Sequence, residues 1–389
     1  MILRQTSRRS LITLIKRTAF GRYINYFSRR YFSFLFEGYS SDYTKSVNGT
    51  FQQKGVRVAV LGADTATGEL LSFLLKQNPI VSQIYLYGDI VVEGIAEDLR
   101  HMDTRGEVAA FYGPNGVNKA IRCADIVLLI GKDKTPLNAT AEDRLRNEMD
   151  NLVMYTKACT KYAPRSLIGV CVRPISCSLP IVSDIFRGTH WYHPGRIIGC
   201  ATLMQVRINA YVGHYYGLDP VSVHVPFIGG PDTDNVVPLF SRAKPLSVLT
   251  GDISPLNNFL KNWKNSASEK CNTPIMMVSA VSEAYAINQF VTTMALGLCG
   301  DDYAICTAFV RQNIIKHCRY LVTTVQFGPE GVVHNYGVPC LTKGELVEFE
   351  RSIYQLKERE KMGLKVLTLT DKPPEPKIAK RMIAYKCAG

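Results

Sequence analysis

The run Gly62-Ala-Asp-Thr-Ala-Thr-Gly68 follows directly on the apolar stretch Val56–Leu61 and opens a segment with helical periodicity. Glycines in that setting let a helix N-terminus approach a pyrophosphate, whose charge is favoured by the helix dipole and the first N–H groups. The outer glycines, Gly62 and Gly68, have the spacing of a dinucleotide-binding turn, but the middle position is Thr65. Its side chain takes space that close backbone approach to a cofactor requires. An acid at the end of the second strand should hold the adenosine ribose; Asp89 is the candidate, displaced one residue by Gly88.

The elements needed to position such a turn alternate strand with helix. Strand-like runs cover Val56–Leu61, Gln83–Tyr87, Ile126–Ile130 and Leu167–Val172, with helical periodicity over Glu69–Gln77 and Leu145–Lys161. This order predicts an α/β fold whose N-terminal half is a Rossmann-type, doubly wound parallel sheet. From about Ala201 the pattern is mainly helical, broken by strand-like segments near Val221–Ile228 and Tyr320–Phe327, and it closes with a helix over Thr342–Met362 whose Leu346, Phe349, Ile353 and Leu356 are at core-facing spacing.

Composition bounds the alternatives. With 389 residues and 46% hydrophobic content, the chain can bury a large core. No apolar run reaches the roughly 18 residues of a membrane-spanning helix, so no membrane insertion is expected. Of the 46 basic residues behind the net charge of +13, eight (Arg4, Arg8, Arg9, Lys16, Arg17, Arg22, Arg29 and Arg30) lie in the first 32 positions, which hold no acid. An Arg-rich, Ser-containing, acid-free segment predicts a mitochondrial transit peptide over 1–32 and a matrix location; a basic RNA-binding arm is the competing reading. Without those eight residues, 38 bases face 33 acids, a balance of +5. The eleven cysteines show no CxxC spacing, so no metal site is predicted, and reduced thiols fit a matrix protein.

Between 56 and 366 the text resembles the mitochondrial-type malate dehydrogenases of the lactate/malate dehydrogenase family. The matching stretches are Val58–Gly62, Leu74–Pro79, Asp98–His101 with Thr104 and Arg105, Gly217–Pro220, Ile228–Gly230 and Ser282–Ala286. The resemblance implies a Rossmann NAD-binding-like domain at 55–200 and an α+β malate dehydrogenase C-terminal-like domain at 201–366, and composition adds the transit peptide at 1–32, a linker at 33–54 and a flexible, Pro-rich basic tail at 367–389. The resemblance also implies a homodimer, since family members pair through helices beside the sheet.

The same resemblance locates the family's chemistry, and the residues there are different. In the family a His following the Gly-Gly pair takes the hydroxyl proton and a buried Asp tunes it. Here those positions are Pro231 and Met204. Of two loop arginines that clamp a dicarboxylate, the first becomes Lys134 and the second falls on Glu142. The Asn-Pro-Val-Asn segment reads Arg173-Pro-Ile-Ser176, the helix Asn near the cofactor becomes Met149, and Arg207 alone is retained.

Three readings follow. The first is a catalytically inactive malate dehydrogenase-like protein with a structural or regulatory role in mitochondria, as a homodimer or a subunit of an assembly, with Arg207, Lys134 and Arg173 as a remnant of the anion site. The second is an active malate or 2-hydroxy acid dehydrogenase with a rearranged site, its displaced base drawn from His190, His193, His214, His224, Asp232 or Asp234. The third, resting on the residual charge, the 20 tyrosines and the basic tail, is an RNA-associated component. Toward NAD, Gly62, Gly68 and Asp89 argue for binding, while Thr65 and Met149 argue against it.

Overall fold

The computed structural model describes residues 55–132, 139–245 and 275–370. The segments expected to be transit peptide and linker, the loop position Lys134, and the end of the basic tail lie outside them.

Each strand of the N-terminal half feeds a helix. The order is β1 (Val56–Leu61), α1 (Ala66–Gln77), β2 (Val81–Gly88), α2 (Val91–Arg100), β3 (Glu107–Tyr112), α3 (Gly116–Ile121), β4 (Ile126–Leu129), α4 (Ala141–Tyr162), β5 (Leu167–Val170), α5 (Ile175–Arg187) and β6 (Ile197–Cys200). These strands lie in the order β3-β2-β1-β4-β5-β6 with every neighbouring pair parallel, the doubly wound arrangement that the alternation predicts. β3 and β6 are absent from the sequence-predicted strands for different reasons: β6 is four residues buried on both faces and lacks the alternation of a half-exposed strand, whereas β3 is a partly exposed edge strand whose central Ala109 and Ala110 carry little strand signal.

The second half comprises α6 (Thr202–Tyr216), β7 (Phe227–Gly229), β8 (Val236–Pro238), α7 (Ile275–Leu298), β9 (Ile305–Arg311), β10 (Tyr320–Gly328), β11 (Gly331–Asn335) and α8 (Lys343–Thr370). β9 pairs antiparallel with β6, and the path continues through β10 to β7 and β8, so the two halves share one eleven-stranded sheet. The strand expected over Val221–Ile228 is confined to β7 and preceded by a short 3-10 turn at Pro220–Ser222. Pro220 and Pro226 cannot donate to a ladder and so exclude a longer strand. The final helix runs past its expected end at Met362, and past the expected domain boundary at 366, to Thr370, with Val366 and Leu367 buried.

Alternate residues of β1 serve opposite faces of the sheet. Val56, Val58 and Val60 join a core with Leu71 and Leu75 of α1, Val92 and Ala96 of α2, and Phe290 and Met294 of α7. Ala59 and Leu61 point the other way, into a core shared with α3, α4, α5 and α8. α8 is held at its start by a reciprocal cap: the Glu345 carboxylate accepts from the Thr342 backbone N–H at 2.9 Å and the Thr342 hydroxyl accepts from the Glu345 N–H at 3.3 Å. Ser241 donates to the same carboxylate, tying the helix to the segment after β8.

Candidate functional site

A cleft of about 290 Å³ opens at the C-terminal ends of β1, β2, β4 and β5. Ligands of open parallel sheets bind there. The glycine turn forms one wall. Gly62 has φ of 96°, a left-handed conformation that favours glycine, and a side chain on Gly68 would come within 2.3 Å of the Gly62 carbonyl oxygen. Both glycines are therefore required to pack α1 against the end of β1, whether or not a cofactor is present. Thr65 closes the turn from inside. Its hydroxyl donates to the Gly62 carbonyl at 2.8 Å and accepts from the Gly68 N–H at 3.0 Å, so it caps α1 and takes up one of the donors an incoming anion would use.

Facing the turn, Lys132 follows β4. Its backbone N–H donates to the Glu148 carboxylate at 3.0 Å, and its ammonium lies 3.4 Å from Asp64 and 3.9 Å from Asp89. The Asp64 side chain is 9% exposed and the Asp89 side chain 72%. Deeper in the cleft, Arg173 donates to Glu283 on α7 at 2.8 Å. Arg207 on α6 donates to Ser282 at 3.3 Å. Burial, and then repulsion from Arg173, lowers the Arg207 guanidinium to about 10, with Glu283 opposing the shift. The guanidinium stays charged at neutral pH.

The cleft lining thus carries four carboxylates, Asp64, Asp89, Glu148 and Glu283, against the cations Lys132 and Arg173. Three of the sequence-predicted residues, Gly62, Gly68 and Asp89, belong to the glycine turn and the rim of this cleft, and Arg173 and Arg207 meet around Glu283. Met149 does not face the cleft: it is 1% exposed in the core, and its neighbour Glu148 lines the cavity instead. Glu283 was visible as the single charge in the otherwise apolar or neutral sequence of α7. Asp64 and Lys132 had no such signal, since each follows a strand in a segment where charge is ordinary.

Pro231 and Met204 are both buried. The residues weighed as displaced bases are elsewhere or otherwise engaged. His190, His193, His214 and His224 are exposed and none of them lines the cleft. Asp232 accepts from the backbone N–H groups of Ile175 and Ser176 at 3.1 and 3.2 Å and from the Ser176 hydroxyl, which makes it the cap of α5. Burial and the nearby Asp234 raise its carboxyl above the usual range. Asp234 itself pairs with Arg359 of α8, and Glu142 pairs with Arg146 at 2.6 Å. No cluster suited to a metal ion occurs among the described residues.

A model of the lactate/malate dehydrogenase NAD-binding domain matches residues 56–199. Mitochondrial malate dehydrogenase of Rattus norvegicus is 31% identical over 323 residues, covering 81% of this chain and 92% of that protein. The chain belongs to the lactate/malate dehydrogenase family. The Homo sapiens mitochondrial malate dehydrogenase is 30% identical with the same coverage. Among solved structures, the apo malate dehydrogenase of Picrophilus torridus superimposes with a TM-score of 0.68 at 16% identity, covering 81% of this chain and 99% of that one. The L-lactate dehydrogenase of Clostridium thermocellum gives 0.63 at 19% identity, covering 82% and 100%. These neighbours share the Rossmann sheet with its appended C-terminal domain.

The family's dinucleotide brings two phosphates to the N-terminus of the first helix and a ribose to the end of β2. In this chain that helix is capped by Thr65, a nearly buried Asp64 carboxylate lies beside it, and the lining is net acidic. The residues present do not fit the group.

Proposed function

We propose that this chain is a non-catalytic member of the family that serves a structural or regulatory role in mitochondria, as a homodimer or within a larger assembly. One observation carries the reading: the positions that the resemblance assigns to the proton acceptor and its carboxylate partner hold Pro231 and Met204, both buried and neither titratable. A proline cannot supply the roughly 10²–10⁴-fold that general acid–base catalysis contributes. The anion site is altered to match, since Arg173 is paired with Glu283 and a second carboxylate in that place disfavours a dicarboxylate substrate.

The mitochondrial part of the reading draws on the acid-free basic segment 1–32 and on relatives named as mitochondrial enzymes. Self-association draws on exposed Phe73 of α1 and exposed Val281 and Tyr285 of α7, on helices that pack together, since a symmetric pair is the commonest way to cover such surface. The decisive assay follows NADH oxidation by the purified full chain with oxaloacetate and other 2-oxo acids. Absence of turnover above the buffer rate is expected, and turnover of about 1 s⁻¹ or more would overturn the proposal. Proteins that co-purify from mitochondria then identify the assembly.

A further inference from the structure

We propose that Lys132 guards the dinucleotide cleft from its wall: its ammonium, lying between Asp64 and Asp89, stands between the glycine turn and the end of β2 where cofactor phosphate and ribose are held in this fold, so the chain does not take up NAD.

The bridge is built from both sides. Lys132 is aimed by its own backbone, whose N–H donates to the buried Glu148 at 3.0 Å. From there its side chain reaches Asp64 at 3.4 Å and Asp89 at 3.9 Å, the two points between which a cofactor would have to lie. Asp64 is the inner anchor, 9% exposed, while Asp89 remains largely in solvent. A Cβ built on Gly88 would meet the Asp64 carboxylate at 2.4 Å. The carboxylate thus occupies the space a side chain at the end of β2 would need, and glycine at 88 is what makes room for it. In a dinucleotide site, the acid at the end of β2 is left for the ribose hydroxyls. Here an acid from the glycine turn has moved into that corner, and an internal lysine neutralises it.

Thr65 adds to this barrier. Its hydroxyl holds Gly62 and Gly68 together across the turn, at the position where a backbone-only residue would let a pyrophosphate approach. A phosphate entering this cleft would have to displace the ammonium from Asp64 and then face that carboxylate in a poorly solvated corner, where like charges repel most strongly. The exchange is unfavourable at each step, because the ammonium already offsets the Asp64 charge through Oδ2, while Oδ1 is buried without a hydrogen-bond partner and would face the phosphate directly.

The test is binding rather than turnover, so its outcome is separate from that of the activity assay. NADH is titrated into the purified full chain by calorimetry and by the fluorescence of bound NADH. No saturable binding below about 1 mM is expected for the natural sequence. The triple variant Asp64→Ser, Thr65→Gly, Lys132→Gly should bind NADH at least tenfold more tightly than the natural chain. The variant Asp64→Asn with Lys132→Met removes the charges while keeping the bulk, and it serves if the triple variant does not fold; it should gain a smaller but measurable affinity over the natural chain. Saturable micromolar binding by the natural chain would overturn the inference. So would folded variants, verified by an unchanged circular dichroism spectrum, that gain nothing.

Discussion

Arg173, at the end of β5, and Glu283, in the middle of α7, meet at 2.8 Å across the floor of the cleft, and Arg207 lies close enough for its guanidinium to feel both. The pair joins the parallel half of the sheet to a helix of the second half. It leaves the site's deeper cations committed to the protein's own carboxylate.

Breaking that pair should cost stability. Glu283→Ala leaves two neighbouring guanidinium groups without their shared counter-ion, and about 3 kcal/mol of destabilisation is expected, the lower end for a buried pair because Arg173 is partly exposed. Urea unfolding followed by circular dichroism measures it. A loss under about 0.5 kcal/mol would mean that solvent screens the pair as it does on a surface.

Positions 204 and 231 should be coupled if they descend from a proton-transfer pair. Met204→Asp alone buries a carboxylate without a partner and should destabilise by at least about 3 kcal/mol. Adding Pro231→His should recover about 1–3 kcal/mol of that loss, read as the interaction energy of a double-mutant cycle. Additive losses would show that the two sites do not face one another. No oxaloacetate reduction is expected from the double variant, because Glu283 still occupies the arginines.

The cap of α8 predicts a pH dependence. Burial alone would raise the Glu345 carboxyl, but hydrogen bonds from Thr342 and Ser241 outweigh it and hold the group below the ordinary glutamate value. A carboxylate whose pKa is depressed by folding contributes stability that is complete above its unfolded value and is lost as pH falls through the folded one. Glu345→Gln should therefore cost about 1 kcal/mol at pH 7 and progressively less below about pH 4.5. Thermal melts of both proteins between pH 3 and 7 check this; a constant difference across the range would refute the assignment.

Thiol reactivity should divide by burial. Cys123 and Cys340 are exposed and should be alkylated in the folded protein within minutes, while Cys299, also exposed, should react more slowly because burial raises its thiol. Burial pushes the Cys159 and Cys177 thiols up to about 12. A hydrogen bond with Cys200, together with burial, raises Cys171. These buried thiols should react only after unfolding, since the thiolate is the nucleophile. Mass-spectrometric mapping of iodoacetamide adducts distinguishes the groups, and rapid labelling of Cys159 would mean that α4 opens readily.

What the sequence determined by itself is the framework and the identity of the residues at its key positions. The alternation of apolar strands with helical stretches settles the doubly wound half, because burial on two faces writes itself directly into composition and period. The glycine turn was legible for the same reason: Gly62 and Gly68 answer to local conformation and to a contact six residues away. Pro231 and Met204 need only be read, since no fold can give either one a titratable group.

Only the tertiary structure decided how charges separated in sequence combine. Arg173 and Glu283 are 110 positions apart, and nothing local to either names the other. Asp232, weighed as a base, became the cap of α5 because a helix N-terminus was brought to it from 56 positions away. Asp64 and Lys132 read as ordinary loop charges until β1 and β4 were laid side by side, which brings the loops at their ends together. Periodicity reports which face of an element is buried. It carries no information about which distant side chain shares that burial, and in this cleft that pairing determines what the site can hold.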